Sequence, residues 1–181
     1  VKEGEKIYAM KKFYLDNLSN GGALKQYELL SKFKHENIHE VIEAFTRPNK
    51  NQYLITEYYP NNLYNFVQKK LPEKVIKGII FQLISGVNYL HSLNYLHRDI
   101  KPDNVLISSE GIIKLTDFDL CRLASKGQDD PMTRTAVTLY YRAPEIFYGD
   151  SFYGKPIDIW SIGCVFVELV IGNLFLKLGM N

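Results

Sequence analysis

Asp99 and Lys101 lie two residues apart in the run His97-Arg98-Asp99-Ile100-Lys101-Pro102-Asp103-Asn104, and Asp117-Phe118-Asp119 follows shortly after. A carboxylate can accept a proton from an attacking hydroxyl, and a nearby ammonium can neutralise charge that develops on a group in transfer. The carboxamide of Asn104 and the carboxylate of Asp117 offer hard oxygen donors of the kind that hold Mg²⁺ against phosphates. Together these residue types and spacings suit phosphoryl transfer. Any one of them alone would be an ordinary solvated loop residue; the ordered set, with Ala143-Pro144-Glu145 downstream, makes coincidence a poor explanation.

These motifs resemble those of the eukaryotic protein kinases, over nearly the whole chain of 181 residues. The stretch from Val137 to Glu145 is similar to the end of the activation segment in cyclin-dependent kinases, and Asp158 to Cys164 to the helix behind it. Lys101 beside Asp99 is similar to the serine/threonine pattern. Ala23-Leu24-Lys25, Tyr148-Gly149 and Tyr153-Gly154 lean toward the branch that activates other cyclin-dependent kinases or phosphorylates the RNA polymerase tail. The resemblance implies an ATP- and Mg²⁺-dependent serine/threonine kinase, proline-directed, acting in cell-cycle or transcription control. It makes Asp99 the proton acceptor and Asn104 and Asp117 the metal ligands, with Lys101 neutralising the moving phosphoryl group and the Thr138 hydroxyl bridging Asp99 and Lys101.

Further roles come by the same resemblance. Lys11 would reach the α- and β-phosphates of ATP, paired in the family with a glutamate on the next helix. Here Gln26 falls at that position, and an amide can hydrogen-bond an ammonium but cannot neutralise it. Glu28 is two residues, about 200°, around the helix and a poor stand-in. Thr56 falls at the position controlling access behind the adenine site, and the backbone of Glu57 and Tyr59 would bind adenine. Thr133 matches the threonine phosphorylated by an upstream kinase, its phosphate gathered by Lys25, Arg98 and Arg122. Val137 and Arg142 resemble the pocket that accepts proline after the target serine or threonine. His97 and Phe118 would pack in a hydrophobic spine, Asp158 would anchor the catalytic loop, and a cyclin-like subunit would press on the helix carrying Gln26. Asp119 stands where the family has glycine, with a steric penalty expected at positive φ, and is expected to face solvent or bond locally. Gln26 and Asp119 also leave open an impaired relative that serves as a cyclin-binding scaffold.

The elements that must position these groups are legible as periodicities. Lys6 to Phe13 alternates like a strand; Gly21-Gly22 leads into a helix whose Leu24, Leu29, Leu30 and Phe33 would face a sheet; Val41 to Thr46 and Gln52 to Tyr58 read as strands. Tyr59-Pro60-Asn61-Asn62 breaks the pattern as a linker. Beyond it Val75, Ile79, Ile80, Leu83, Val87 and Leu90 mark a long helix with Pro72 in its first turn. Val105 to Ile107 and Ile112 to Leu115 form a hairpin, and Ile157 to Ile171 a buried helix too short to span a bilayer. The fold class expected is α+β and two-lobed: a small β-rich lobe over 1–58, a hinge at 59–62 and a mainly helical lobe over 63–181. The glycine-rich phosphate cover and the last large-lobe helices are expected to lie outside the chain.

Composition narrows the alternatives. Hydrophobic residues make up 46% and aromatics 13%, enough to bury a substantial core. A net charge of +2 argues against nucleic acid as a direct partner, and no apolar run approaches the roughly 20 residues of a membrane span. Cys121 and Cys164 lack metal-ligand spacing and suit a reducing, intracellular compartment, nuclear or cytoplasmic. His35, His39 and His91 form no metal-ligand group.

Overall fold

The computed structural model describes residues 2–4, 6–14, 22–48, 50–124 and 138–173. A four-stranded antiparallel sheet is ordered β1-β2-β4-β3, from β1 (Lys2–Glu3), β2 (Lys6–Phe13), β3 (Val41–Thr46) and β4 (Gln52–Glu57). Lys11 pairs with Leu54 and Ala9 with Thr56, so the register of β2 against β4 sets both residues in one cleft. Helix α1 (Gly22–Leu30) packs on this sheet. Leu24 is 47% exposed, contrary to the expected apolar stripe, and Ala23, Gln26 and Leu30 form the buried face instead. Ala23, Gln26 and Leu30 recur at three- and four-residue steps, while Leu24 sits about 100° away from Ala23.

Past Tyr58, Tyr59 and Pro60 the chain enters β5 (Asn61–Asn62), which pairs with the hairpin of β7 (Val105–Ile107) and β8 (Ile113–Leu115). Half of the expected linker is therefore strand. A short helix α2 (Tyr64–Val67) precedes α3 (Glu73–Ser92), for which Pro72 is the extended N-cap rather than a first-turn residue. Val75 is exposed and Ile76 buried: the inward stripe runs Ile76, Ile79, Leu83, Gly86, Val87 and Leu90, and Val75 lies one residue off it. At Gly86 a Cβ would sit 3.0 Å from the Asn37 carbonyl oxygen, so only glycine lets α3 approach the Asn37 turn this closely. Asn37 fastens that turn by donating from Nδ2 to Ile113 O at 3.1 Å, while Leu115 N donates to Asn37 O and His39 N to Leu115 O, both at 2.9 Å. The hairpin is thereby joined to the turn that leads into β3.

The strand pair β6 (Tyr95–Leu96) and β9 (Arg122–Leu123) flanks the segment bearing Asp99. Helix α4 (Pro144–Phe147) follows, and α5 (Pro156–Ile171) ends at Gly172, whose φ of 74° and N–H···O bond of 2.8 Å to Glu168 close it in the left-handed manner. One face of α5 is sealed by Ile157, Ile162, Val165 and Leu169. Its other face forms an open apolar groove lined by Ile159, Trp160, Phe166 and Val167 beside Glu145 and Lys155. Among the described residues no helix is long and apolar enough to cross a membrane.

Candidate active site

The Asp99 carboxylate is held from four directions. Its Oδ1 accepts from Thr138 Oγ1 at 2.6 Å and Thr138 N at 3.2 Å; its Oδ2 accepts from Lys101 Nζ at 2.8 Å and Asn104 Nδ2 at 2.9 Å. Lys101 Nζ also donates to Thr138 Oγ1 at 2.9 Å, placing the Thr138 hydroxyl between the two charged groups. Burial alone would raise the Asp99 pKa, but the bonds from Lys101 and Thr138 outweigh it and hold the carboxyl below its ordinary range. Asp99 is therefore ionised and aimed at neutral pH.

Asn104 and Asp117 are brought to the same end of the β7–β8 hairpin by the backbone bond from Thr116 N to Asn104 O at 3.0 Å. Asn104 spends Nδ2 on the Asp99 carboxylate and carbonyl, so only Oδ1 of that amide remains to face a cation. Asp117 takes the left-handed conformation, φ 63°, which non-glycine residues adopt rarely and at functional sites more than elsewhere. Among the described residues no three His, Cys, Asp or Glu side chains converge on one point. Two protein oxygens without a cage fit Mg²⁺, which keeps several waters and is bound mainly through substrate phosphates.

Lys11 Nζ lies 3.0 Å from Asp117 Oδ1 and 2.8 Å from Asp119 Oδ1. Burial lowers its pKa, yet the Asp119 and Asp117 carboxylates more than reverse this and raise it above the usual lysine value. Asp119 is raised, by burial first and by repulsion from Asp117, against the pull of Lys11. Two expectations are corrected. Asp119 bonds neither solvent alone nor its own loop alone: its side chain, 35% exposed, pairs with Lys11 and accepts from Gln26 Nε2. Nor does it take positive φ; the left-handed residue of this segment is Asp117. Gln26, 8% exposed, bonds the carboxylate and not the ammonium, while Glu28 lies on the exposed side of α1.

A cavity of about 320 Å³ is lined by Ala9, Lys11, Thr56, Leu106, Asp117 and His39, among others. Glu57 and Tyr59 line a second cleft, with Tyr8 and Ser108. His39 also belongs to the site, beyond the residues expected from sequence: its Nε2 donates to Glu57 O at 3.0 Å and its Nδ1 accepts from Thr116 Oγ1 at 2.9 Å. The only sequence signal was a lone polar ring between Ile38 and Val41. Lys25, Arg98 and Arg122 line one cleft of about 580 Å³. Arg98 is buried there, φ 68°, donating to Leu120 O at 2.7 Å and Tyr153 Oη at 3.0 Å. Arg142 follows the single turn of 3₁₀ helix at Leu139–Tyr141. Thr133 and Val137 lie outside the described residues.

Behind the site, Asp158 is fully buried; its Oδ1 accepts from Arg98 N at 2.9 Å, and its Oδ2 from His97 N at 3.0 Å and His91 Nε2 at 2.8 Å. His97 packs edge-on to Phe118 at 4.8 Å, and Phe118 tilts against Phe33 at 5.9 Å. Burial pushes the Cys121 thiol up to about 12 and Cys164 up to about 11, so neither supplies a thiolate nucleophile.

His97 is fully buried and His39 nearly so, and burial lowers both imidazole pKa values further than nearby carbonyls and carboxylates raise them. The unfolded chain binds protons that the folded chain refuses once pH falls below about 6.5, so stability must decline on acidification. Each ring contributes at most ~1.4 kcal/mol per pH unit. The urea midpoint is expected to fall steadily from pH 7.5 to 5.5, less so in His39→Gln; a flat profile overturns the assignment of buried neutral rings.

Residues 1–179 match the protein kinase domain. The chain is 37% identical over 178 residues to cyclin-dependent kinase-like 4 of Mus musculus, covering 95% of this chain and 51% of that protein. It is 38% identical to cyclin-dependent kinase-like 4 of Homo sapiens, covering 46% of it, and 36% identical to cyclin-dependent kinase-like 2 of Oryctolagus cuniculus, covering 31% of it. The chain thus spans about half the length or less of these relatives. With an α+β architecture that links Asn104 to Asp99 and Lys11 to Asp117, and a match running almost end to end, the chain belongs to the protein kinase domain family.

Proposed function

We propose that this protein transfers the γ-phosphoryl group of Mg-ATP to serine or threonine, ahead of proline, as a cyclin-dependent-type kinase. The observation that carries the reading is the Asp99 network: an ionised carboxylate fixed by Lys101, Asn104 and Thr138, beside the Asn104 and Asp117 oxygens. When bound, Mg²⁺ neutralises phosphate charge and holds the nucleotide in place. Asp99 orients the acceptor hydroxyl and takes its proton as oxygen bonds to the γ-phosphorus and the bond to the departing diphosphate breaks. Lys101 offsets charge on the moving group.

In the same reading residues 1–58 form the small lobe, 59–62 the hinge and 63–181 the large lobe, with adenine against the Glu57 and Tyr59 backbone behind Thr56. A cyclin-like subunit presses on α1. Phosphate placed on Thr133 by an upstream kinase is gathered by Lys25, Arg98 and Arg122, which share a cleft. Arg142 and Val137 shape the proline pocket. The site of action is nuclear or cytoplasmic in this reading, in keeping with the free Cys121 and Cys164.

The test is transfer from ATP to paired Ser-Pro and Ser-Ala peptides, with and without Mg²⁺, using the complete protein. Metal-dependent transfer favouring Ser-Pro is expected. Nucleotide binding without transfer would instead establish a scaffold, a reading favoured by one observation, that α1 supplies no carboxylate to Lys11 and its Gln26 amide bonds Asp119 instead. Lys11→Met is expected to lower kcat/KM for ATP by about 10- to 100-fold, the worth of one or two charge-assisted bonds. An unchanged value removes Lys11 from phosphate binding.

A further inference from the structure

Three elements meet at a single oxygen. Lys11 comes from β2, Gln26 from α1 and Asp119 from the 3₁₀ turn Phe118–Leu120; the ammonium lies 2.8 Å from Asp119 Oδ1, and the Gln26 amide donates to that same atom. An amide facing an ammonium would present its oxygen; Gln26 presents its nitrogen, so its buried side chain is committed to the carboxylate. The charge count fits an exchange. Where relatives by resemblance carry a glutamate on the helix and glycine in the loop, this chain carries an amide on the helix and an aspartate in the loop, so the net charge around Lys11 is the same.

We propose that the carboxylate tying Lys11 to helix α1 has moved from the helix to Asp119, with Gln26 as its required hydrogen-bond donor. Asp119 is a positioning residue: it touches Lys11 and, through Gln26, fixes α1 against the cleft. The placement rests on the kinase reading for its catalytic consequence, though the tether itself does not. It also makes a counter-intuitive demand. Restoring glutamate at position 26 alone places two carboxylates where one hydrogen bond now stands, which opposes closure of α1 by like-charge repulsion.

A double-mutant cycle in the complete protein decides the matter. Gln26→Glu and Asp119→Asn are made singly and together, with Gln26→Glu plus Asp119→Gly as a second pair should an asparagine there fold poorly. The readouts are kcat and KM for ATP, and amide hydrogen exchange across Gly22–Leu30. Each single change is expected to lower kcat/KM by roughly tenfold, the worth of a charge-assisted bond at a half-exposed site, and to speed exchange in α1. The double change, which only exchanges carboxylate and amide, is expected to return both readouts to within about threefold of the parent. Additive losses, or a harmless Gln26→Glu alone, overturn the tether. If the parent transfers no phosphoryl group the kinase reading fails by itself, while the exchange cycle across α1 still tests the tether.

Discussion

Replacing Asp99 with asparagine is expected to reduce phosphoryl transfer by about 10²–10⁴-fold, the usual contribution of a positioned general base, with a much smaller effect on folding. The side chain keeps its shape, and an asparagine oxygen can still accept from Thr138 or from Lys101. It cannot do both, because its Nδ2 must then face either the Lys101 ammonium and Asn104 amide or the Thr138 hydroxyl and backbone N–H. One unsatisfied contact at this buried position costs about 1–3 kcal/mol, and the reaction loses its proton acceptor altogether. Single-turnover rates beside urea denaturation separate the two effects. Turnover at the parent rate would remove Asp99 from the chemistry; a collapse of the urea midpoint would make its role structural.

Asp158→Ala is expected to have the largest effect on stability, about 3–5 kcal/mol. The side chain is fully buried and is the acceptor for two successive backbone N–H groups, of His97 and Arg98, as well as for His91 Nε2. Alanine leaves those donors without a partner in a place water does not reach, at about 1–3 kcal/mol each. Against a typical total of 5–15 kcal/mol this is a large fraction. Arg98 is held at a φ of 68°, and these bonds help to hold it there, so activity should decline with stability even where the protein stays folded. A loss under ~1 kcal/mol in chemical denaturation would show that the loop holds its own shape.

Much of this arrangement was readable in the sequence because its chemistry is local. Asp99, Lys101 and Asn104 lie within six residues, and a proline, a turn and two short strands fix where Asp117 follows. The strands of the upper sheet were likewise plain from alternation. Helix faces were read less well: Leu24 and Val75 are apolar yet exposed, since a residue one step off the buried stripe is turned by about 100°. Asp119 escapes a local reading for a different reason. Its partners, Lys11 and Gln26, are 108 and 93 positions away, and no local pattern reveals that a carboxylate lost from one element has its counterpart in another. His39 was overlooked likewise, because its partners Glu57 and Thr116 are joined to it only by the fold.

The groove on α5 holds Trp160, the one tryptophan in the sequence, 43% exposed. Its indole is already half in water, so intrinsic fluorescence should shift little to the red on denaturation and strongly to the blue when that face is covered. Tryptophan emission from these 181 residues is therefore a single-position optical probe of one side of one helix. Far-ultraviolet circular dichroism reports every helix at once, and coincidence of the two denaturation curves gives a direct measure of whether α5 melts with the rest.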